Sequence, residues 1–290
     1  MNPLKLEQTS PSVWAITDGS TFGNVGCIRL PQGIVVVDTG MSPHLAQKFR
    51  NLIHQQVGTQ LIAVVLTHYH SDHVFGTQIF GDCPIIGSTA LAALYDAQFK
   101  ATWSPEGLQE LITAYQQMRP ELAGQLADLQ IIPPTQTFKH SLILGEADEV
   151  CIQHTGGHTA GHSTVYFAPE RVLFAADLVF CQQYPYAGDD TNDPPQWMQA
   201  FQTILAQPVD VIVPGHGPLC TKDEIRLHLA YFQELENWIL TQLDQNRSLD
   251  EVIQASASSP PFPYKERADA RLSSTLKRWY EYYSLKGRAL

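Results

Sequence analysis

The sequence predicts a layered α/β fold, on two observations. Its apolar runs are rich in Val, Ile and Leu without clean alternation, as in strands covered on both faces. Strand-like runs also give way to helical stretches twice along the chain. In order, SVWAIT (12–17), NVGCIRL (24–30) and GIVVVDTG (33–40) read as strands, and a helical stretch runs from Pro43 to Gln56. The buried-strand run LIAVVLT (61–67) follows. Residues 97–134 change character: Ser104 reads as a cap, Pro105 stands in the first turn, and apolar residues recur at 108, 111, 112 and 115. Gly and Pro bound this segment, which reads as a helical insertion in a single domain spanning 1–290. Strands resume at EVCIQHT (149–155), TVYFA (164–168), RVLFAAD (171–177) and VDVIVP (209–214). From 222 to 290 the pattern is helical. Ile225, Leu229, Phe232, Leu235, Ile239 and Leu243 share one face, a stripe for the core or for the contact of a homodimer.

Composition narrows the partners. There are 18 Lys+Arg against 29 Asp+Glu, a balance of −11, with no basic stripe. That argues against nucleic acid or an anionic membrane and leaves a small-molecule substrate. The start, MNPLKLEQTSPSVW, lacks the apolar core of a signal peptide, and no apolar run reaches membrane-spanning length. Five cysteines lie far apart with no CxxC, so the expectation is reduced thiols in a cytoplasmic protein.

The chemistry begins at LTHYHSDH (66–73). His68, His70 and Asp72 are two apart, so in an extended segment leaving a strand they point to one side. His73 joins them if the chain turns into a helix, which Ser71–Asp72 before HVFGTQIF predicts. Crowded imidazoles repel if protonated and need partners if buried neutral; a metal answers both. Four ligands exceed the three that an open catalytic zinc takes from protein, so they read as parts of two sites. The completing groups stand where other apolar strands end: His158 after a glycine pair in QHTGGHTAGH, Asp177 closing VLFAAD, and His216 in VDVIVPGHG.

HxHxDH, GGHTAGH, Asp177 and PGHG resemble, in order and spacing, the metallo-β-lactamase superfamily, and Asp38 in VVVDTG matches its first motif. The resemblance covers roughly residues 12–220. It implies a four-layer αββα sandwich with a two-metal site at one edge, extended here by the helical insertion and the C-terminal helices. It further implies that His68, His70 and His158 hold one metal, that Asp72, His73 and His216 hold the second, and that Asp177 bridges them. Asp38 and His162 would support the ligands without binding metal. Two zinc ions fit best, though such a donor set also accepts iron or manganese.

The implied chemistry is hydrolysis by a bridging water ionised between the metals, with Asp72 passing the released proton. A carboxylic ester, lactone or thioester is the expected substrate. Tyr184, Tyr186 and Asp190, in the loop after Asp177, are candidates to reach it, and helices 97–134 are read as a lid. Two alternatives stand beside this: a mononuclear iron dioxygenase of thiols or persulfides, using only His68, His158 and Asp177, and a non-catalytic metal-binding protein. The lactonase-like members carry a tyrosine where this chain has Phe180.

Overall fold

Why the strands fail to alternate is explained by what covers them. In the computed structural model, which describes residues 3–122, 124–147, 149–268 and 270–287, two sheets stack face to face and helices cover both outer faces. The first sheet has seven strands in sequential order: β1 (Glu7–Ser10), β2 (Val13–Ile16), β3 (Val25–Leu30), β4 (Gly33–Val37), β5 (Leu61–Val65), β6 (Ile85–Ser88) and β7 (Gln136–Phe138). The second has five, β8 (Ser141–Leu144), β9 (Val150–His154), β10 (Ser163–Phe167), β11 (Val172–Phe180) and β12 (Val211–His216), also neighbours in sequence order. On β4, Val35 and Val37 enter the layer between the sheets, while Ile34 and Val36 face the outer helices. Both faces are dry, so every position is apolar.

The outer layer on the first sheet is built by α1 (Pro43–Gln56) and α3 (Thr89–Phe99), through Leu45, Phe49, Ile53, Leu91 and Tyr95. Between them lies the short α2 (Ser71–Val74), and after them α4 (Pro105–Met118) of the insertion. On the second sheet lie α5 (Pro194–Ala206), α6 (Lys222–Asp244), α7 (Leu249–Gln254) and α8 (Ala270–Gly287). The four layers are the αββα sandwich that the sequence resemblance implies. The stripe of α6 is core: Ile225, Phe232, Leu235 and Ile239 are buried, with Leu229 and Leu243 packed against the same cluster.

Two readings shift. Helix begins at Thr89, eight residues before the expected insertion boundary, because the Ser88 hydroxyl accepts from Leu91 N at 2.9 Å and caps it. The sequence TALAALYDAQF is apolar nearly all round, so no periodic stripe marks that start. Strands β1, β6, β7 and β8 went unread because they have three or four residues each, too few to show a period. All five cysteines are free thiols, with Cys27 and Cys181 buried. Among the described residues no helix is long and apolar enough to cross a membrane.

Candidate metal centre

The strand ends converge on one edge of the sandwich. His68 follows β5, and His70 caps α2 in an extended conformation (φ −63°, ψ 144°), so the chain turns helical at Ser71 and brings His73 round to the same side. His158 leaves the turn between β9 and β10, where Gly156 and Gly157 take φ of +61° and +88°. A Cβ on Gly157 would stand 2.7 Å from Trp197 Cα, so only glycine allows this approach. Asp177 lies in β11 just after an irregularity in its pairing with β12, where Ala176 has φ 44°. His216 ends β12, and a Cβ on its neighbour Gly215 would fall 1.8 Å from Asp177 Oδ1.

All seven side chains come together in two groups: His68, His70, His158 and Asp177, and then Asp72, His73 and His216, with ligand atoms within 4.8 Å of one another in each group. Asp177 Oδ2 lies between them, 3.6 Å from His68 Nε2, 3.4 Å from His158 Nε2 and 3.4 Å from His216 Nε2. Asp72 Oδ2 is 3.4 Å from His216 Nε2 and 4.0 Å from His73 Nε2. A tetrahedral ion with bonds of about 2.0–2.1 Å separates its donors by roughly 3.4 Å, so the spacings fit.

The tautomers fit as well. Thr67 Oγ1 gives its proton to Asp38 Oδ2 (2.8 Å), so at 3.0 Å from His68 Nδ1 it must accept, and His68 Nε2 is left with a bare lone pair. His73 Nδ1 donates to Asp38 Oδ2 (2.8 Å), and His70 Nε2 to Asp189 Oδ2 (3.0 Å), which frees His73 Nε2 and His70 Nδ1 in turn. His70 Nδ1 then faces His158 Nε2 at 3.0 Å. His68 Nε2, His73 Nε2 and Asp177 Oδ1 are buried without a hydrogen bond of sound geometry, although the last two are 3.0 Å apart. Lone pairs turned toward one another around a buried carboxylate call for a divalent cation.

Electrostatics agree. Burial opposes the charged form of Asp177, but His216, His73 and His68 outweigh it and hold the carboxyl well below the usual range. Burial pushes His68 well down and His158 to about 3, which keeps both rings neutral. For His73 and His216 burial also works against charge, but Asp177 and Asp72, joined by Asp38 at His73, raise both above 6.5. A histidine with a raised folded value contributes stability that is fully present below its unfolded value of about 6.5 and lost as pH climbs through the folded value. With divalent ions chelated, the thermal midpoint is therefore expected to fall as pH rises above 6.5, and the metal-loaded protein should not follow it, since metal replaces those protons. Parallel pH curves with and without chelator would refute the assignment.

Support comes from two carboxylates. Asp38, at φ 57°, accepts from Thr67 N (2.8 Å), Thr67 Oγ1 and His73 Nδ1, and so fixes two rings at once. Asp189 accepts from Tyr69 Oη (2.5 Å), His70 Nε2, and Thr191 N and Oγ1. Sequence reasoning pointed one residue away, to Asp190, which is exposed. Adjacent aspartates look alike in sequence, and only the turn through Thr191 decides which faces in. Tyr184, the second candidate, is core: its hydroxyl meets Tyr231 Oη at 2.7 Å. Tyr186 does line the site, its ring 5.8 Å from that of His70. His162 is buried 5.3 Å from the His68 ring and bonds Thr155 Oγ1 at 3.1 Å. Phe180 stacks on His216 at 5.0 Å and an interplanar angle of 10°.

Above the cluster opens a cavity of about 690 Å³, floored by His70, Asp72, Asp177 and His216. Its walls include Phe22, Tyr115, Arg119, Tyr186 and Arg271.

Comparison with known proteins gives concordant matches. A family model described as the metallo-beta-lactamase superfamily matches residues 18–216. The 2,4-dinitroanisole O-demethylase subunit alpha of Nocardioides sp. (strain JS1661) is 28% identical over 289 residues, covering 97% of this chain and 77% of its own. The acyl-coenzyme A thioesterase MBLAC2 of Gallus gallus is 24% identical over 211 residues, or 67% and 72% of the two chains. Among solved structures, the sec-alkyl sulfatase PisA1 superposes with a TM-score of 0.73 at 18% identity over 97% of this chain; this chain spans half of that one.

Proposed function

The chain belongs to the metallo-β-lactamase superfamily and is a metal-dependent hydrolase, and from that premise we propose that it cleaves a carboxylic ester, lactone or thioester at a dinuclear zinc site. In this reading His68, His70 and His158 would hold one ion and Asp72, His73 and His216 the other, with the Asp177 carboxylate a donor shared by both groups. The observation that carries it is Asp177 Oδ2, which stands within 3.6 Å of imidazoles from both groups. The MBLAC2 thioesterase supports the substrate class by analogy.

Divalent cations held by these residues would supply a water ionised near neutral pH and polarisation of the scissile bond's oxygen. The protein's own groups do the rest. Asp38 and Asp189 hold the rings in their tautomers, which keeps the lone pairs aimed. Asp72, a quarter exposed on the cavity floor, accepts the proton released on attack and returns it to the leaving group. Burial and the nearby Asp189 raise Tyr186, so its phenol stays protonated and serves as a donor to the substrate. The insertion brings Tyr115 of α4 and Arg119, which directly follows that helix, to the cavity wall, which supports the insertion as a lid over a single-domain core.

Elemental analysis of protein purified without added metal, paired with a panel of p-nitrophenyl esters, lactones, thioesters, alkyl sulfates and phosphodiesters, tests this directly. About two zinc ions per chain and turnover on a carbonyl substrate are expected. Turnover confined to sulfates or phosphodiesters would overturn the substrate class. One iron per chain, with oxygen uptake on a persulfide, would overturn the reaction.

A further inference from the structure

The chain is acidic, with 18 Lys+Arg against 29 Asp+Glu, yet two of its arginines line the one cavity above the metal cluster. They come from separate elements: Arg119 directly follows α4 of the insertion, and Arg271 stands in the first turn of α8. Arg271 is half-buried. Its Nη1 donates to Tyr184 O at 2.9 Å and reaches Gln183 Oε1 at 3.5 Å, and both acceptors are neutral. Among the described residues no carboxylate is in ion-pair contact with it. A guanidinium carries five N–H donors, and the described acceptors engage only those of Nη1. A half-buried guanidinium that lines the cavity and is met only by neutral groups keeps its charge available to pair with an anion that enters there. Arg119, whose guanidinium sits 5.8 Å from the Phe22 ring centroid, lines the same wall.

From this we infer that the substrate is an organic anion. Its carboxylate or sulfonate binds Arg271, seconded by Arg119, while the bond to be cleaved reaches Asp72 and His216 on the floor. Arginine's planar fork matches both oxyanions bidentately. A cavity of about 690 Å³ holds a small molecule bearing both groups, and the net charge of −11 disfavours anything more highly anionic. The inference rests on the reading of this cavity as the site of ester hydrolysis, and the test separates the two.

Mono-p-nitrophenyl glutarate and p-nitrophenyl pentanoate differ at one end by a carboxylate, and the ratio of their kcat/KM measures its recognition. The metal-loaded wild type is expected to prefer the glutarate ester by about tenfold or more, through KM. In Arg271→Gln the ratio should fall toward one, in Arg271→Lys it should be intermediate, and Arg119→Gln should lower it in part. Independently of turnover, glutarate and propanesulfonate titrated into metal-loaded protein should bind the wild type about tenfold tighter than Arg271→Gln. The anion that shows the larger difference identifies the group recognised. Should neither ester turn over while this binding difference holds, the anion site stands and ester hydrolysis falls. A ratio and binding constants unchanged between wild type and Arg271→Gln, in a variant that keeps its metal, would sink the inference and leave ester hydrolysis standing.

Discussion

Asp177→Asn is expected to lose most bound metal and to drop turnover by about a thousandfold or more, with far-UV circular dichroism unchanged. The carboxylate is 4% exposed and is the anion common to both groups of imidazoles. Oδ1 lies 3.0 Å from His73 Nε2, and Oδ2 lies within 3.6 Å of His68, His158 and His216. An asparagine of the same shape removes the charge and turns an NH2 toward bare nitrogens that need a cation. Breaking one partner of a buried charged set costs about 3–5 kcal/mol, or roughly 10²–10⁴ in an equilibrium constant, and this partner stands against imidazoles of both groups. Gly215 leaves no space for the side chain to swing away, since even a Cβ there would overlap Oδ1. Metal content by mass spectrometry and single-substrate kinetics decide the matter. A variant that retains two ions and full turnover would mean Asp177 bridges nothing.

The same geometry shows why some of the site was legible in sequence. Ligand-type residues stood immediately after apolar runs, and a strand end fixes position well enough that HxHxDH, His158, Asp177 and His216 could be expected on one sheet edge. The turn at Ser71 was legible too, and with it the swing of His73. What escaped notice depends on loop conformation. Asp189 and Asp190 differ only in which one Thr191 folds against. Tyr184 and Tyr186 are two apart, yet one enters the core and the other the cavity. Arg271 lies nearly a hundred residues beyond Asp177, in a helical segment with no motif to mark it, and reaches the cavity only because α8 packs on the second sheet's outer layer.

Asp72→Asn is expected to act in the opposite way to Asp177→Asn, keeping most of the metal while slowing turnover by about a hundredfold or more. Asp72 contributes one oxygen near His216 (3.4 Å) and His73 (4.0 Å), and an amide oxygen can occupy that place. Unlike Asp177 it touches only one of the two groups, and its side chain is 25% exposed, so water screens the lost charge. An amide, however, cannot take up the proton released on attack. The chemistry of the leaving group sharpens the test. A p-nitrophenolate departs without a proton, whereas an alkoxide needs one, so the variant should be impaired more on alkyl esters than on p-nitrophenyl esters. A purely structural role for Asp72 would depress both alike and lower metal content in step. Equal rates for variant and wild type on an alkyl ester would remove Asp72 from the reaction and leave the proton to another group on the cavity floor.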